Sequence, residues 1–333
     1  MNEIKARISP NRFLEHFAPA TEQEKPPFAP MLQGMGTNKL SQISTRSATP
    51  TVDAITGVAT IAAGDFKVFI EQYNTLAGGL RISTHKLLDA CSIALTSQSH
   101  YRGTGELNTV VSIPLEDYMT MCGTPVTKPS KDKTRRRVHE DLETLYNLSI
   151  EWKEKSGKNT RDYQKMRVIT SHGIQRGMII VGFSPELADY LTHAYIMQYP
   201  TALLKVDERN PNSYHVGRKL LLHHSIENNR RRGTANLISV SILLEACPNI
   251  PSYADVMRGD RHVDQQIVTP LENALNALPF ITWEYSNAKG VALSENQLKK
   301  GSFADFITLY IHFTVKDLPD HSGKHTVLPA TTF

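Results

Sequence analysis

Apolar residues fall into helical and strand-like periods from residue 83 onward, and the same order of periods occurs twice. Ser83–Leu95 predicts a helix with Leu87, Leu88, Cys91 and Leu95 on one face and Ser83 as its cap. A Val/Ile-rich strand over Leu107–Ile113 and a short helix over Pro114–Cys122, ended by Gly123, come next. A loop, Thr124–Ser130, leads to a long helix from Asp132 to Tyr146, where Val138, Leu142 and Leu145 share a face. Strands are then predicted at Leu148–Glu154, Met166–Thr170 and Met178–Phe183. Ser184-Pro185-Glu186 opens another helix, with a serine cap and proline in the first turn.

The second half repeats this order. Ser213–Ile226 reads as a helix, Ser239–Ala246 as a short helix and Asn249–Asp255 as a loop. A long helix from Arg261 to Leu278 places Ile267, Leu271, Leu275 and Leu278 on one face. A strand at Phe280–Tyr285, a turn at Ser286–Gly290 and a strand at Phe306–Phe313 close the unit. In register, Leu145 meets Leu275, Leu148 meets Leu278, Ile113 meets Ile238, and Trp152 meets Trp283, the only two tryptophans of the chain. Helix, short helix, loop, long helix and strand pair is the order of a winged helix. The expected fold is therefore α+β, mainly α, with two tandem winged-helix domains at 65–205 and 206–317. Residues 1–64, with prolines at 10, 19, 26, 27, 30 and 50, are expected to form a flexible tail, and 318–333 a second one.

Charge changes this picture by its placement. A net charge of +4 over 333 residues is too small to identify a partner. Lys128, Lys131, Lys133, Arg135, Arg136 and Arg137, however, put six cations into ten residues at the start of the first long helix, with Thr134 among them. A major groove admits such a helix, and phosphates favour its N-terminal end. Arg258, Arg261, His262, Gln265 and Gln266 hold the equivalent place in the second unit, with side chains suited to guanine and adenine edges. Arg230, Arg231 and Arg232 are expected on phosphates. Lys153, Lys155, Lys158 and Arg161 are expected on the first wing, and Lys289 on the second. Ordinary solvated loops would explain each of these clusters too.

Familiar catalytic patterns are missing from the sequence. There is no phosphate-binding Gly-x-x-x-x-Gly-Lys motif, no His–apolar–His triplet and no nucleophile elbow. Adjacent His223 and His224 point about 100° apart on a helix and chelate poorly. Cys91, Cys122 and Cys247 read as core residues, Asp117, Glu140, Asp141 and Glu143 as solvated carboxylates, and Gly34-Met35-Gly36 and Gly103-Thr104-Gly105 as loops. No cofactor, metal, catalytic residue or membrane span is expected, and a cytoplasmic setting is.

Two further stretches carry a resemblance. Phe183-Ser184-Pro185-Glu186-Leu187-Ala188-Asp189-Tyr190-Leu191 and Asn210-Pro211-Asn212-Ser213-Tyr214-His215-Val216-Gly217-Arg218-Lys219-Leu220, set in the ordered series above, resemble the initiator replication proteins of iteron plasmids over roughly residues 70–315. The resemblance implies binding to directly repeated double-stranded origin sites through both domains. It also implies homodimers joined through the first domain, and host helicase or initiator proteins as partners. Alternatives are a winged-helix transcriptional regulator, a nuclease with an unrecognised site and a winged-helix pair that binds proteins.

Overall fold

The computed structural model describes residues 28–43, 50–76, 80–99, 109–156, 160–192, 195–259, 262–294 and 303–318. The chain enters through β1 (Phe28–Gln33) and α1 (Met35–Leu40), followed by β2 (Thr51–Val52), β3 (Ala59–Ala63) and β4 (Phe66–Ile70). These residues were expected to stay unpacked, and those at 28–43 and 59–61 do not. Ala29, Met31, Leu32, Leu40, Ala59 and Ile61 are all buried. The prolines misled because Pro30 lies in a strand of a two-stranded sheet, where an edge position tolerates a missing N–H. The structure thus corrects the expected tail where it is described, at residues 28–43 and 59–61; residues 1–27 and 44–49 lie outside the described residues.

The first winged helix is built from α2 (Ile82–Ser99), β5 (Val110–Pro114), α3 (Leu115–Met121) and α4 (Lys128–Tyr146). It continues with β6 (Leu148–Ser156), β7 (Thr160–Arg167), β8 (Ile169–Gln175), β9 (Met178–Phe183) and α5 (Pro185–Thr192). Strand β10 (Tyr195–Pro200) returns to pair with β1 from Phe28↔Pro200 to Gln33↔Tyr195, and a 3-10 turn, Thr201–Lys205, ends the unit. Two sheets flank the helices. Strands β5-β9-β8 form one, and β2-β3-β4-β6-β7 form the other, all antiparallel.

The second unit comprises α6 (Pro211–Ser225), α7 (Glu227–Arg231), β11 (Leu237–Ser239), α8 (Val240–Glu245) and α9 (Tyr253–Arg258). A π-helical turn, Asp264–Val268, runs directly into α10 (Thr269–Asn276). Strand β12 (Ile281–Ser286), the single turn α11 (Phe303–Phe306) and β13 (Tyr310–Val315) complete it, with strand order β11-β13-β12. Ile267, Leu271, Leu275 and Leu278 are buried, as their spacing predicts. Two expectations fail locally. Residues expected as the loop 249–255 begin α9, because Ser252 caps it by accepting from the Asp255 N–H at 3.2 Å. The strand expected from Phe306 starts only at Tyr310, since Phe303–Phe306 closes a helical turn with Ile307 N–H bonded to the Phe303 carbonyl.

Sheet order also corrects the register of the duplication. In the second unit the long helix is followed by β12, which pairs with β13, which in turn pairs with β11. The same three-strand pattern in the first unit is β8, β9 and β5. The counterpart of β12 is therefore β8, and the hairpin β6–β7 is an insertion that joins the other sheet. Trp152 on β6 and Trp283 on β12 are not equivalent. Trp152 is fully buried, while Trp283 is half-buried with its indole N–H on Asn276 Oδ1 at 3.0 Å.

The units meet along α2 and α6. Tyr214 donates to Asp89 at 2.6 Å, and Arg218 lies 3.6 Å from the same carboxylate. His215 bonds the Ser41 carbonyl at 3.0 Å and His85 the Ile43 carbonyl at 2.8 Å. Among the described residues no helix is long and apolar enough to cross a membrane.

Candidate nucleic-acid interface

Helix α4 begins four residues earlier than its apolar spacing predicts. Thr127 caps it, accepting from the Ser130 N–H at 3.4 Å, and Pro129 occupies the first turn. All six expected cations consequently lie on the helix. At 100° per residue, Lys133 and Arg136 project opposite the buried stripe of Val138, Leu142 and Leu145. Lys128 and Arg135 lie on one flank and Arg137 on the other, all exposed.

These cations are not equally free. Arg137 is paired with Glu208 at 2.6 Å, which ties the helix to the segment leading into the second unit. Lys131 is paired with Glu116 of α3, and Thr134 is half-buried. Lys128, Lys133, Arg135 and Arg136 face solvent, with no carboxylate of the described residues within ion-pair distance. Toward the C-terminal half the charge reverses, with Glu140 paired to Arg81 at 2.9 Å and Glu143 near His172 at 3.6 Å. The N-terminal half of α4 is thus the part suited to a polyanion.

Asp141 fixes how α4 presents that half. Expected as a solvated carboxylate, it is buried, and its Oδ1 accepts from Thr84 at 2.7 Å, Ser83 at 3.0 Å and Arg81 at 3.3 Å. Burial raises its pKa, against the lowering effect of those hydrogen bonds and of Arg81. Its three donors sit at the N-terminus of α2, so one carboxylate docks α4 on the helix behind it. Lys86, also on α2, is buried with its Nζ donating to the Val206 carbonyl and 3.6 Å from Glu208, and burial lowers its pKa.

The first wing is not where the lysines suggested. Lys153, Lys155 and Arg161 belong to the inserted hairpin β6–β7, and Lys158 lies outside the described residues. The hairpin equivalent to a wing is β8–β9, whose two-residue turn is Arg176-Gly177. Both have positive φ, 50° and 77°, as a twisted two-residue hairpin requires. Arg176 is exposed at this tip and was missed; an Arg-Gly directly before the apolar run Met178-Ile179-Ile180-Val181 was the available signal.

In the second unit Arg261 lies outside the described residues. His262 and Gln265 are exposed and Gln266 half-buried at the π-helical start of α10. Arg258 pairs with Asp255 within α9. Along the exposed side of 262–276 come Asp264, Gln265, Thr269 and Asn273, with no lysine or arginine. Arg231 is paired with Glu227, Arg230 donates through Nε to the His224 carbonyl at 3.1 Å, and Arg232 is exposed.

Other candidate chemistry resolves into packing. His223 Nε2 lies 2.9 and 3.0 Å from the Thr234 and Leu237 carbonyls, and His224 Nδ1 meets Asn236 Oδ1 at 2.8 Å. Burial pushes the thiols of Cys91 and Cys247 up to about 12 and that of Cys122 to about 11. Gly34 and Gly36 are close-approach positions and not a free loop: an added Cβ would lie 2.2 Å from Tyr190 and 2.9 Å from Trp152. Gly103-Thr104-Gly105 lies outside the described residues. Among the described residues no group of three or more His, Cys, Asp or Glu could hold a metal.

Residues 71–205 match the family model described as Initiator Replication protein, WH1. Over these residues the chain is similar to the WH1 domain of the initiator replication proteins. The matched segment runs from the end of β4 to the 3-10 turn, so it includes α4, the wing β8–β9 and the inserted hairpin. A comparison with solved structures matches two of domains 2 and 3 of RctB, both 10% identical. One has a TM-score of 0.45 over 85% of this chain and 100% of that one; the other has 0.40 over 84% and 96%. No curated protein matches the chain.

Proposed function

We propose that this protein initiates replication by binding repeated origin sites in double-stranded DNA, without catalysing a reaction itself, and then engages host helicase or initiator proteins. The observation that carries this reading is the free cationic N-terminal half of α4, presented by the Asp141 dock in a segment similar to the WH1 domain of initiator replication proteins. Lys133 and Arg136 face the groove, Lys128 and Arg135 flank it on phosphates, and the wing tip Arg176 reaches the backbone alongside. The second unit reads bases with the amide and imidazole side chains Gln265, Gln266 and His262, together with Arg261. Dimers formed through the first domain are part of the same reading.

Fluorescence anisotropy over a salt series tests it, with duplexes tiled from the DNA beside the gene and a scrambled duplex. Tight binding to a repeated segment is expected. The double substitution Lys128→Ala/Arg135→Ala should weaken binding to every duplex and lower the slope of log K against log salt by about 0.9 for each phosphate no longer neutralised. Equal, weak binding to all duplexes would overturn origin recognition, and an unchanged slope would remove α4 from the interface.

A further inference from the structure

The second unit carries a cleft of about 480 Å³ whose lining is basic, with His224, Arg230, Asn236, Lys289 and His312 contributing the polar side chains. Two separate parts of the chain build it. One is the connection from α7 to β11, which turns at Gly233 with φ of 69°. The other is the turn after β12, where Gly290 has φ of 76° and Lys289 N–H bonds Asn287 Oδ1 at 2.9 Å. Strands β11 and β13 hold the two parts in register, with Leu237 opposite His312.

Among the described residues no carboxylate lines this cleft. Glu284 lies next to it, opposite His312 across the β12–β13 ladder, and its Oε1 is taken by His312 Nδ1 at 3.2 Å. Arg230 is held in place through its Nε on the His224 carbonyl, which leaves its two terminal nitrogens for a ligand. Lys289 is exposed on a turn fixed by Asn287, whose side chain also accepts from the Val291 N–H at 3.1 Å. An arginine and a lysine converging from two segments on one polar cleft form a site for a phosphate-type anion, since the guanidinium offers paired donors and the ammonium a point charge.

The placement also answers an imbalance between the units. In the first, free cations sit on the long helix. In the second, the described exposed side of that helix has none. Non-specific affinity for DNA comes mainly from neutralised phosphates, so a second unit whose helix reads bases needs its cations elsewhere. We infer that the cleft between Arg230 and Lys289 is a seat for a DNA backbone phosphate, which anchors the second unit beside its wing while α10 lies over the bases. This rests on the DNA-binding reading above and assigns the anchoring residues of its second half.

The test uses the full chain with two ligands. Inorganic phosphate is titrated while the imidazole NMR signals of His224 and His312 are followed, and duplex binding is measured over a salt series. Wild type should show saturable shifts with phosphate. Lys289→Glu, on an exposed turn, should remove them without changing the melting temperature. Arg230→Gln, which keeps a donor toward the His224 carbonyl, should do the same. Each should weaken duplex binding several-fold and reduce the salt slope by about 0.9. Absent phosphate shifts in wild type, or shifts that survive both substitutions, would overturn the anion site. Shifts that are lost while the duplex slope stays unchanged would show a site for free phosphate compounds and overturn the backbone assignment. Failure of the general DNA-binding reading is distinguishable, because wild type would then bind no duplex whether or not phosphate shifts His224.

Discussion

At the scale of single residues, the working surface depends on one carboxylate that never meets the ligand. Asp141 accepts three donors from the start of α2 and is itself excluded from water. Removing it leaves the buried hydroxyls of Ser83 and Thr84 without this acceptor, while Arg81 keeps its pairing with Glu140. Losing one partner of a buried charged cluster costs about 3–5 kcal/mol, and Arg81, partly exposed, softens this toward the lower end. Asp141→Ala is therefore expected to lower stability by about 3 kcal/mol in urea denaturation. Asp141→Asn, which keeps an acceptor oxygen, should lose less. Asp141→Ala should also weaken DNA binding at temperatures where the protein remains folded, because α4 loses its dock. A variant with full stability would show that the apolar stripe of Val138, Leu142 and Leu145 suffices to seat the helix. Arg137 belongs to the same class. Its pairing with Glu208 makes it a tie between units, so its loss would act through structure as well as charge.

At the scale of elements, the apolar periods located the helices well, and polar side chains decided their ends. Leu87, Leu88, Cys91 and Leu95 predicted α2, and Ile267, Leu271, Leu275 and Leu278 predicted the second long helix; all are buried. The start of α4 was misplaced because Lys128–Lys131 looks like a charged loop, and only the Thr127 cap and Pro129 mark it as the first turn. The wing was misplaced for a different reason. A tryptophan-bearing strand follows the long helix in both halves, and the sequence holds nothing to show that β6–β7 pairs with β4 and not with β5. That information lies in long-range pairing with the N-terminal strands, which the prolines had disguised as a tail. The true wing turn, Arg176-Gly177, makes its own prediction. Gly177 has φ of 77°, a region where a β-branched residue is strained, and its carbonyl accepts from the Leu115 N–H at 2.8 Å. Gly177→Val should destabilise the domain by about 1–2 kcal/mol. It should weaken DNA binding beyond any effect of Arg176→Ala, since it disturbs both the wing and the start of α3. Equal binding by Gly177→Val and wild type would place the β8–β9 tip away from the DNA.

At the scale of the whole molecule, the two units are joined by a buried polar seam, and its histidines make the joint sensitive to acid. His85 and His215 are fully excluded from water, with ring centroids 5.5 Å apart. Burial, His215 and Arg218 hold His85 down to about 3, while burial, with Arg218 adding to it, holds His215 to about 4. Both rings are neutral in the fold, and each uses a nitrogen on a carbonyl of the 41–43 segment. On unfolding they recover an ordinary pKa near 6.5, so below that value the unfolded chain binds protons that the fold refuses. The sign follows: the stabilisation from neutral histidines is complete above about pH 6.5 and is lost as pH falls toward about 4. Each ring contributes up to about 1.4 kcal/mol per pH unit in that window. Asp89, raised by burial, works in the opposite sense only where its own protonation begins, at the acid end. Stability to urea should therefore drop by several kcal/mol between about pH 7 and about pH 4.5. His85→Gln/His215→Gln, which keeps a donor for each carbonyl, should flatten that profile while lowering stability at neutral pH. A profile equally steep in the double variant would assign the acid sensitivity to other groups. The seam between α2 and α6 would then owe its cohesion to the Tyr214–Asp89–Arg218 cluster and the apolar residues around it.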